Sequence, residues 1–405
     1  MKQKWVIIAV FIAFAAVLVA VVGGKKKGSK AGPGATPAVG STAGSGSGSG
    51  GPAATKVAVE LMYSSEKKDW IEAAVGAFEL ANPDIDVVLT SKGSLEAATA
   101  ILDGTSHPVL WSPADSLVLN LMASDWQTKF GRRPFAADGD AGPQQLLLSP
   151  LVFAVWEDRA KVLLAAAGGD TLTWKAIHDA VVSPRGWAAI GGKPGWGFVK
   201  LGHTDPNRSN SGLQALLLMT LEYYKQTSGL TVDQLLDEKY QAWIKDIERG
   251  VPAFEASTGT FMTDMIRFGP SKYDIAVVYE SLAISQLENA QGRWGNLHVY
   301  YPPVTLWSDH PLVVLDAPWV GAPEQAAGRR VAAYLRGHEA QSMALRFGFR
   351  PADTSLPIKS TDGANPFVRL GSYGLALELP QAAPPPDGAV VRNLLMMWSR
   401  VARPQ

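Results

Sequence analysis

The sequence predicts an α/β protein whose folded body consists of two α/β units joined by crossing segments. Strand-like and helix-like segments alternate over residues 57–123, and a second alternating unit follows over 173–224. Such alternation is typical of parallel sheets covered by helices. The apolar run between the units, 146–156, is interrupted by Pro150. Because proline cannot donate to a strand ladder, this run suits a crossing between two lobes better than a central strand.

Composition limits the classes of function. The chain has 405 residues, 47% of them hydrophobic, which is enough for two or more domains and a large core. Lys+Arg and Asp+Glu number 37 each, so no basic excess exists to neutralise phosphates, and nucleic acid is not expected as the main partner. The absence of cysteine excludes disulfides, thiolate metal sites, cysteine nucleophiles and a lipid-modified cysteine.

Residues 1–27 are predicted to be an N-terminal membrane anchor or uncleaved signal. The unbroken apolar run 5–22 would span roughly 27 Å at about 1.5 Å per residue, close to the hydrocarbon core of a bilayer. A cleaved signal peptide is the alternative, but its apolar region is usually shorter, and 21–23 is a poor cleavage site. Lysines flank the run on both sides, and taken alone they slightly favour a cytoplasmic C-terminus.

Residues 28–55 are predicted to be a disordered linker. They are almost wholly Gly, Ser, Ala, Pro and Thr, which cannot bury enough apolar surface to fold. As a flexible tether, such a segment has a typical reach of roughly 30 Å. The folded body is expected to begin near Lys56.

Hydroxyl side chains follow each of the first three predicted strands. The predicted order is a strand at 57–62, a helix at 66–80, a strand at 85–90, a helix at 95–102, a strand at 108–111 and a helix to about 123. Ser64 and Ser65 follow the first strand, Ser91 and Ser94 the second, and Ser112 the third. Ligands collect at the carboxyl ends of parallel strands, so these serines are candidates for a ligand site. Each serine alone is equally well explained as a helix cap.

The second unit contains the stretch 202–213, which follows a predicted strand and opens a long apolar helix. The remaining predicted elements are helices at 173–182, 213–224, 231–249, 258–268, 323–336, 339–347 and 390–401, and strands at 196–201, 273–281, 297–301 and 312–315. Asp205 before a proline predicts a turn, and Ser209, Asn210 and Ser211 suit a helix start. A helix N-terminus with free N–H groups can hold an anion or a polar ligand, although a well-capped helix is the simpler interpretation.

No catalytic, metal or cofactor motif emerges. The glycines of 186–193 are spaced one residue too widely for a phosphate loop, and the hydroxyl that would hold magnesium is missing. His203 with Asp205, and Asp309 with His310, each offer two metal ligands, but no third ligand stands at a spacing expected of zinc. Neither a Gly-x-Ser-x-Gly elbow nor a His-Glu-x-x-His motif is present.

Several short motifs together carry a resemblance to a known family. They are residues 204–212, 278–281, 301–303, 309–311, 316–319 and 348–351. With these motifs the body, over most of residues 57–360, resembles the type II extracytoplasmic solute-binding proteins of ABC importers. It is most similar to the branch found in bacterial proteins that also contain von Willebrand A domains.

The resemblance implies a two-lobed periplasmic-binding-protein-like fold that closes on a small polar solute. Lobe one would be 56–150 with 278–345, lobe two would be 151–277, and 346–405 would be a C-terminal helical extension packing on the lobes. The implied partner is an ABC-type permease or another membrane protein, for uptake or for sensing. The resemblance also outweighs the charge bias, and places the body on the extracytoplasmic side of the cytoplasmic membrane.

Carried onto this chain, the implied ligand residues lie at strand ends and helix starts. They are Ser64, Ser65, Ser94, Ser112, Arg208, Ser209, Asn210, Ser211, Tyr279 and Glu280. Hydroxyls and helix N-termini suit an oxyanion, to which Arg208 could add charge, whereas Glu280 favours a cationic group or a metal, so the solute stays open. The alternative is an interaction or scaffold protein with the same fold and no small ligand. An enzyme resembling porphobilinogen deaminases is not expected, because the cysteine that holds their cofactor is missing.

Overall fold

The computed structural model describes residues 56–139, 142–359, 363–378 and 381–402. The predicted anchor and linker, residues 1–55, lie outside these ranges. Within them, no helix is both long enough and apolar enough to cross a bilayer.

Strands and helices alternate through most of the described chain. The strands are β1 (Val57–Tyr63), β2 (Ile85–Ser91), β3 (Leu110–Ser112), β4 (Gln144–Gln145), β5 (Leu147–Trp156), β6 (Leu201–Gly202), β7 (Ile275–Tyr279), β8 (Leu297–Tyr300), β9 (Val304–Thr305), β10 (Trp307–Ser308), β11 (Pro311–Val314), β12 (Arg350–Pro351) and β13 (Gln381–Ala382). The helices are α1 (Lys68–Ala81), α2 (Ser94–Asp103), α3 (Ser116–Phe130), α4 (Glu157–Ala167), α5 (Trp174–Val181), α6 (Asn210–Tyr223), α7 (Val232–Leu235), α8 (Glu238–Glu248), α9 (Thr258–Phe268), α10 (Glu280–Ala290), α11 (Ala322–Arg336), α12 (His338–Arg346), α13 (Pro366–Arg369) and α14 (Gly388–Val401).

Lobe one is built on a sheet of order β2-β1-β3-β11-β4. β1 pairs in parallel with β2 and β3, whereas β11 pairs antiparallel with β3 and β4. Successive side chains of a strand point to opposite faces. Leu61 therefore shares a core with Trp70 of α1 and Leu335 of α11, while Met62 shares one with Trp126 of α3. Helices cover both faces of the sheet, as the alternating pattern predicts.

Lobe two is built on a sheet of order β10-β5-β7-β6, and β8 and β12 also pair with β5. Every residue of α6 from Asn210 to Leu221 is buried, because this helix lies in the core between the sheet and the outer helices. A helix that is apolar on all sides is expected in such a position. The predicted strand at 196–201 forms only at its end, as β6, after two 3-10 turns at Gly186–Ile190 and Pro194–Trp196.

β5 is the first crossing between the lobes. Its first half pairs with β12 and β10, and its second half pairs with β7 and β8. Pro150 lies opposite Trp307 in this ladder. A proline in mid-strand thus occurs where the chain passes from one lobe to the other, as the sequence predicts.

The return crossing lies later in the chain than the predicted 278–281. Tyr279 ends β7 and is the N-cap of α10, so the polar end of this strand is a helix start rather than a crossing. β8 then pairs antiparallel with β5, which keeps residues 280–300 in lobe two rather than lobe one. The chain re-enters the lobe-one sheet only at β11, so 301–310 is the return segment.

The C-terminal segment packs on both lobes, and it is less helical than predicted. β12 pairs with β5, and Phe367 of α13 lies in the same core as β5 and β7. On α14, Trp398 Nε1 donates to Glu248 Oε1 of lobe two at 2.7 Å. Arg392 Nη2 on the same helix donates to Asp125 Oδ1 of α3 in lobe one at 2.5 Å. The last helix therefore bridges the two lobes.

Candidate functional site

The parallel register of lobe one brings the ends of its first three strands to one edge. Tyr63 lies opposite Ser91 in β2 and opposite Ser112 in β3. Lobe two meets this edge through the starts of its helices. The Gly259 N–H of α9 donates to Ser65 Oγ at 3.4 Å, and the Glu96 N–H of α2 donates to the Arg208 carbonyl at 3.2 Å.

A cavity of about 680 Å³ opens between the lobes, and we call it the cleft cavity. Its lining is mostly hydroxyl-bearing and charged, with no aromatic side chain. The lining residues are Ser65, Glu66, Lys68, Asp69, Ser91, Lys92, Gly93, Glu96, Ala256, Ser257, Gly259, Thr260, Thr263, Asp264, Leu282, Ser285 and Gln286. The charges are largely paired: Lys92 with Glu96 at 3.5 Å, Lys272 with Asp264 at 2.7 Å. Two of the strand-end serines that the sequence indicates, Ser65 and Ser91, are in this lining.

Gly93 and Arg208 form a close contact between the lobes. A Cβ atom at Gly93 would lie 2.6 Å from the Arg208 carbonyl oxygen and 3.1 Å from that of Ala256, so only glycine fits there. The Arg208 side chain is 48% exposed, and it pairs with Glu96 at 3.2 Å. Arg208 thus forms an ion pair with the opposite lobe, and its role as an anion ligand stays a prediction.

A buried charge cluster lies behind the cleft cavity, formed by Ser64, Glu66, Lys67 and His310. Lys67 Nζ donates to Ser64 Oγ at 2.5 Å and to the Pro113 carbonyl at 3.0 Å, and it lies 3.3 Å from His310 Nδ1. Ser64 in turn donates to Glu66. His310 Nδ1 is also 3.3 Å from Glu66 Oε1, so carboxylate, ammonium and imidazole meet in one buried group.

The pKa values in this charge cluster follow from burial and mutual charge. Burial alone would raise the pKa of Glu66, but the hydrogen bond with His310 and the charge of Lys67 outweigh it and lower that pKa to about 2. Burial lowers the pKa of Lys67 to about 8, against the opposing charges of Glu66 and Asp309. Burial and the Lys67 charge also lower the pKa of His310. Glu66 is therefore an anion at neutral pH.

A second buried group joins the lobes, and we call it the polar junction: Asp115, Asn210, Gln214, Tyr279 and Ser308. Gln214 Nε2 of lobe two donates to Asp115 Oδ2 of lobe one at 2.7 Å and to Ser308 Oγ of the return segment at 3.0 Å. Asn210 Nδ2 donates to the Tyr279 hydroxyl at 3.1 Å. Asn210 and Gln214 are one turn apart on α6, which places both amides on one face.

The polar junction and the charge cluster adjoin. The rings of Tyr279 and His310 are 5.9 Å apart. The backbone N–H of His310 donates to the backbone carbonyl of Ala114, the residue before Asp115, at 3.1 Å. His310 also adopts a φ of 41°, in the left-handed region that non-glycine residues seldom occupy. Because Glu66 belongs to the charge cluster and also lines the cleft cavity, the three features form one continuous region between the lobes.

Four buried polar atoms in this region have no hydrogen-bond partner among the described residues. They are Ser112 Oγ, Asn210 Oδ1, Gln214 Oε1 and His310 Nε2. Leaving a buried polar group unpaired costs about 1–3 kcal/mol. The region between the lobes therefore has hydrogen-bonding capacity that the protein itself does not use.

Two carboxylates, Asp115 of the polar junction and the neighbouring Asp309, also lack a cationic partner among the described residues. Asp115 caps α3 by accepting from the Leu117 N–H at 2.7 Å, and Asp309 accepts from the Ser116 N–H at 2.8 Å. Burial and the neighbouring charge of Asp309 raise the pKa of Asp115 to about 7, against the hydrogen bonds from Leu117 and Gln214. The junction therefore carries excess negative charge.

The predicted helix-start residues divide between two places. Asn210 lies in the polar junction. Ser209 and Ser211 instead form a hydroxyl cluster with Thr258 of α9, with Ser211 Oγ 2.7 Å and Ser209 Oγ 3.3 Å from Thr258 Oγ1. These two serines bond within lobe two, and neither lines the cleft cavity.

The hydroxyls of the other three predicted lobe-one serines differ in their hydrogen bonds. Ser64 belongs to the charge cluster, and Ser94 Oγ accepts from the Ala114 N–H at 2.9 Å. Ser112 is fully buried with its hydroxyl unpaired. The serines at the strand ends thus lie at one edge of the sheet, but each of them has different hydrogen bonds.

Glu280 does not present a free carboxylate to the cleft. Arg350 Nε and Nη2 donate to its two oxygens at 2.8 Å each, and Tyr301 also donates to it. Glu280 is fully buried at the start of α10, while Arg350 lies on β12 beside the crossing strand. The Glu280 carboxylate is therefore held in a structural ion pair near the crossing. Contrary to the expectation, it is not free to attract a cationic ligand.

Sequence patterns miss Glu66, Lys67, Asp115, Gln214 and His310 as members of this region. Lys67 and His310 are 243 positions apart, and Asp115 and Gln214 are 99 positions apart. No local pattern encodes such pairs. Two weak signals were present: Asp115 stands at a cap position after β3, and Gln214 lies one turn after Asn210.

Comparison with known proteins agrees with this architecture. Residues 59–350 match the model of a family described as bacterial extracellular solute-binding protein. No curated protein matches the chain.

Solved structures share the fold at low sequence identity. The sulfate-binding protein SubI from Mycobacterium tuberculosis has a TM-score of 0.53 at 17% identity, over 80% of this chain and 93% of that one. A periplasmic thiamin binding protein has a TM-score of 0.59 at 11% identity, over 86% and 97%. The periplasmic binding protein AfuA from Actinobacillus pleuropneumoniae, with fructose-6-phosphate bound, has 0.54 at 15%, over 85% and 98%.

Proposed function

The chain belongs to the bacterial extracellular solute-binding proteins, a family of binding proteins and not of enzymes, and from that premise we propose that it closes two lobes on a small polar solute at the membrane surface. The observation that carries the proposal is the continuous region between the lobes. A cavity of about 680 Å³ shares Glu66 with the buried charge cluster, which adjoins polar groups that both lobes supply. A volume in the range of about 300–1,000 Å³ suits a small molecule.

The proposed setting is the extracytoplasmic face of the cytoplasmic membrane, with residues 1–27 as a single-pass anchor and 28–55 as the tether. The apolar run and the linker composition support this arrangement. The body would deliver solute to an ABC-type permease, or report its presence to another membrane partner. The motifs of the sequence favour the branch that accompanies von Willebrand A domains.

A ligand screen with a blocked variant tests this function. The full chain in detergent micelles is screened by thermal shift against oxyanions, divalent metals, sugars and amines. Ser285→Trp places a large side chain at the lining of the cleft cavity on α10. Thr128→Trp, at an exposed position on α3, is the matched control. We expect one class to raise the melting temperature of the wild type and of Thr128→Trp, but not of Ser285→Trp.

Two results would count against the proposal. A cooperatively folding sample that responds to no class favours the scaffold alternative, in which the fold is kept without a small ligand. A ligand response of equal size in Ser285→Trp would place binding outside the cleft cavity. Either result removes the observation on which the proposed function rests.

A further inference from the structure

The polar junction is rich in oxygen acceptors and poor in positive charge. Asp115 comes from lobe one and Asp309 from the return segment, and neither has an ion-pair partner among the described residues. Lys67, the buried ammonium of the adjoining charge cluster, donates to Ser64 and to the Pro113 carbonyl instead. Removing a carboxylate from water is unfavourable unless a positive charge or hydrogen bonds compensate it.

Two amide oxygens from lobe two add to this set. Because Gln214 Nε2 is fixed by the carboxylate of Asp115 at 2.7 Å, the orientation of this amide is determined and Oε1 is left as an acceptor. Asn210 likewise uses its Nδ2 on the Tyr279 hydroxyl. Both Oδ1 and Oε1 are without a partner among the described residues, and both side chains are at least nine-tenths buried.

We infer that the polar junction binds an ammonium group of the solute, held between the Asp115 carboxylate of lobe one and the Asn210 and Gln214 amide oxygens of lobe two. This inference rests on the proposed function and names the chemical class of its ligand. An ammonium group offers three N–H donors, and it would satisfy acceptors on both lobes at once. Binding would therefore favour the closed arrangement, since neither lobe supplies the whole set.

Other classes of ligand fit these groups less well. Sulfate offers only acceptors, so it would leave both amide oxygens unpaired and would face two carboxylates. Phosphate can donate through its protonated oxygens, but it still brings a negative charge to the two carboxylates. A divalent metal ion calls for more carboxylate and histidine ligands than the junction supplies. Across the described residues, no group of three or more His, Cys, Asp or Glu side chains is placed to hold one. A neutral alcohol could donate hydrogen bonds, but it would leave the excess negative charge uncompensated.

The same groups predict how affinity depends on pH. The groups that face Asp115 with charge are Asp309 and, in the adjoining cluster, Glu66, Lys67 and His310. Asp115 has a pKa raised to about 7 by burial and by Asp309. An ammonium group binds the ionised carboxylate, so below about pH 7 a proton competes with it. Affinity for an amine should rise with pH up to about 7 and then level off.

The test compares amines with probes in which hydroxyl groups replace the amino groups. Calorimetric titration of the full chain in detergent micelles uses putrescine against 1,4-butanediol and ethanolamine against ethylene glycol, with sulfate, phosphate and Ca²⁺ as the opposing classes. We expect an amine to bind at least about tenfold more tightly than its hydroxyl counterpart. Asp115→Asn and Gln214→Met should each weaken amine binding by about tenfold or more. Asp125→Asn, on the same helix but outside the junction, should leave it unchanged.

Each other outcome contradicts a different part of the account. Binding of sulfate, phosphate, Ca²⁺ or the diols in place of amines overturns the ammonium assignment and keeps the proposed function. Amine binding that Asp115→Asn and Gln214→Met leave intact removes the ammonium from the polar junction. Binding of none of these classes to a cooperatively folding sample contradicts the proposed function, and with it this inference.

Discussion

The cleft cavity and the polar junction are both formed by two lobes, yet they differ in how their polar groups are used. In the cleft cavity, Lys92 is paired with Glu96, and Asp264 with Lys272. In the polar junction, Asp115 has no cationic partner among the described residues, and the amide oxygens of Asn210 and Gln214 are unpaired. The cavity thus has space for a solute, whereas the junction has acceptor groups that no donor in the described part of the chain satisfies. Selectivity for the solute is expected from the junction.

Two buried carboxylates, Glu280 and Asp115, differ in the same way. Glu280 is held by two hydrogen bonds from Arg350, whereas Asp115 has only hydrogen bonds from neutral groups and a raised pKa. Glu280 stabilises the region beside the crossing strand. The charge of Asp115, which no cationic side chain in the described ranges compensates, is expected to destabilise the unliganded protein.

The largest predicted effect concerns the paired carboxylate. Arg350→Ala leaves Glu280 buried without its counter-charge, and we expect a loss of about 3–5 kcal/mol in the free energy of unfolding. Urea denaturation of the full chain measures it. Arg330→Ala, which breaks the exposed pair with Asp84, is the control and should change stability far less. Equal losses in the two variants would mean that burial does not distinguish these ion pairs.

The unpaired carboxylate should behave in the opposite way. The pKa of Asp115 in the folded state is about 7, above the value of 3.8 of an unperturbed Asp. The folded state therefore holds this proton more tightly, and stability is lost as pH rises from about 4 to about 7. Asp115→Asn removes this loss and keeps the cap of α3, so at pH 8 it should stabilise the unliganded protein by about 1–3 kcal/mol.

Urea denaturation at pH 5 and pH 8 checks this sign. The advantage of Asp115→Asn over the wild type should be greater at pH 8 than at pH 5. Asp125→Asn, at a partly exposed carboxylate of the same helix, is the control and should show no such difference. A variant that is less stable than the wild type at pH 8 would show that the Asp115 charge is already compensated.

A contact between the lobes at the lining of the cleft cavity should have a moderate effect. Gly93→Ala would bring a Cβ to 2.6 Å from the Arg208 carbonyl, and the lobes would have to separate locally. We expect a loss of about 1–3 kcal/mol and weaker solute binding, measured by urea denaturation and by calorimetry. Gly76→Ala in α1, where a Cβ would meet nothing within 4 Å, should not destabilise the protein. If Gly93→Ala leaves the solute affinity unchanged, this contact does not contribute to the closure of the lobes on the solute.

The smallest predicted effect is at the C-terminal helix. The pair of Arg392 with Asp125 joins α14 to lobe one, but the two side chains are 42% and 46% exposed. Water screens such a pair, so Arg392→Ala should cost at most about 1 kcal/mol. Hydrogen exchange of α14 would detect a faster opening there. A loss of unfolding free energy as large as that of Arg350→Ala would mean that α14 contributes strongly to holding the lobes together.

The sequence was sufficient for the fold class and for part of the site. Strand and helix periods are local, so the alternation over 57–123 predicted the parallel strands of the lobe-one sheet, and the serines after these strands do meet at one edge. The return crossing was misplaced because the segment from β7 into α10 is buried throughout, and its helix start resembles the end of a strand. Arg350, which pairs with Glu280, is 70 positions away, and no local pattern around Glu280 indicates this ion pair.

The polar junction was beyond sequence patterns for a similar reason. Asp115, Gln214 and Ser308 come from three distant parts of the chain, and only the folded backbone brings them together. Ser209 and Ser211 show the converse. Their pattern indicates a helix start correctly, but cannot show that their hydroxyls bond to Thr258 within lobe two.

The most direct test of the account is the pH dependence of amine affinity in the wild type and in Asp115→Asn. Titration of the full chain with the tightest-binding amine of the screen, between pH 5.5 and pH 8, should show affinity rising up to about pH 7 in the wild type. Asp115→Asn should bind more weakly and with little pH dependence. The same affinity and the same pH profile in both proteins would contradict the claim that Asp115 and the polar junction hold the ammonium group of the solute.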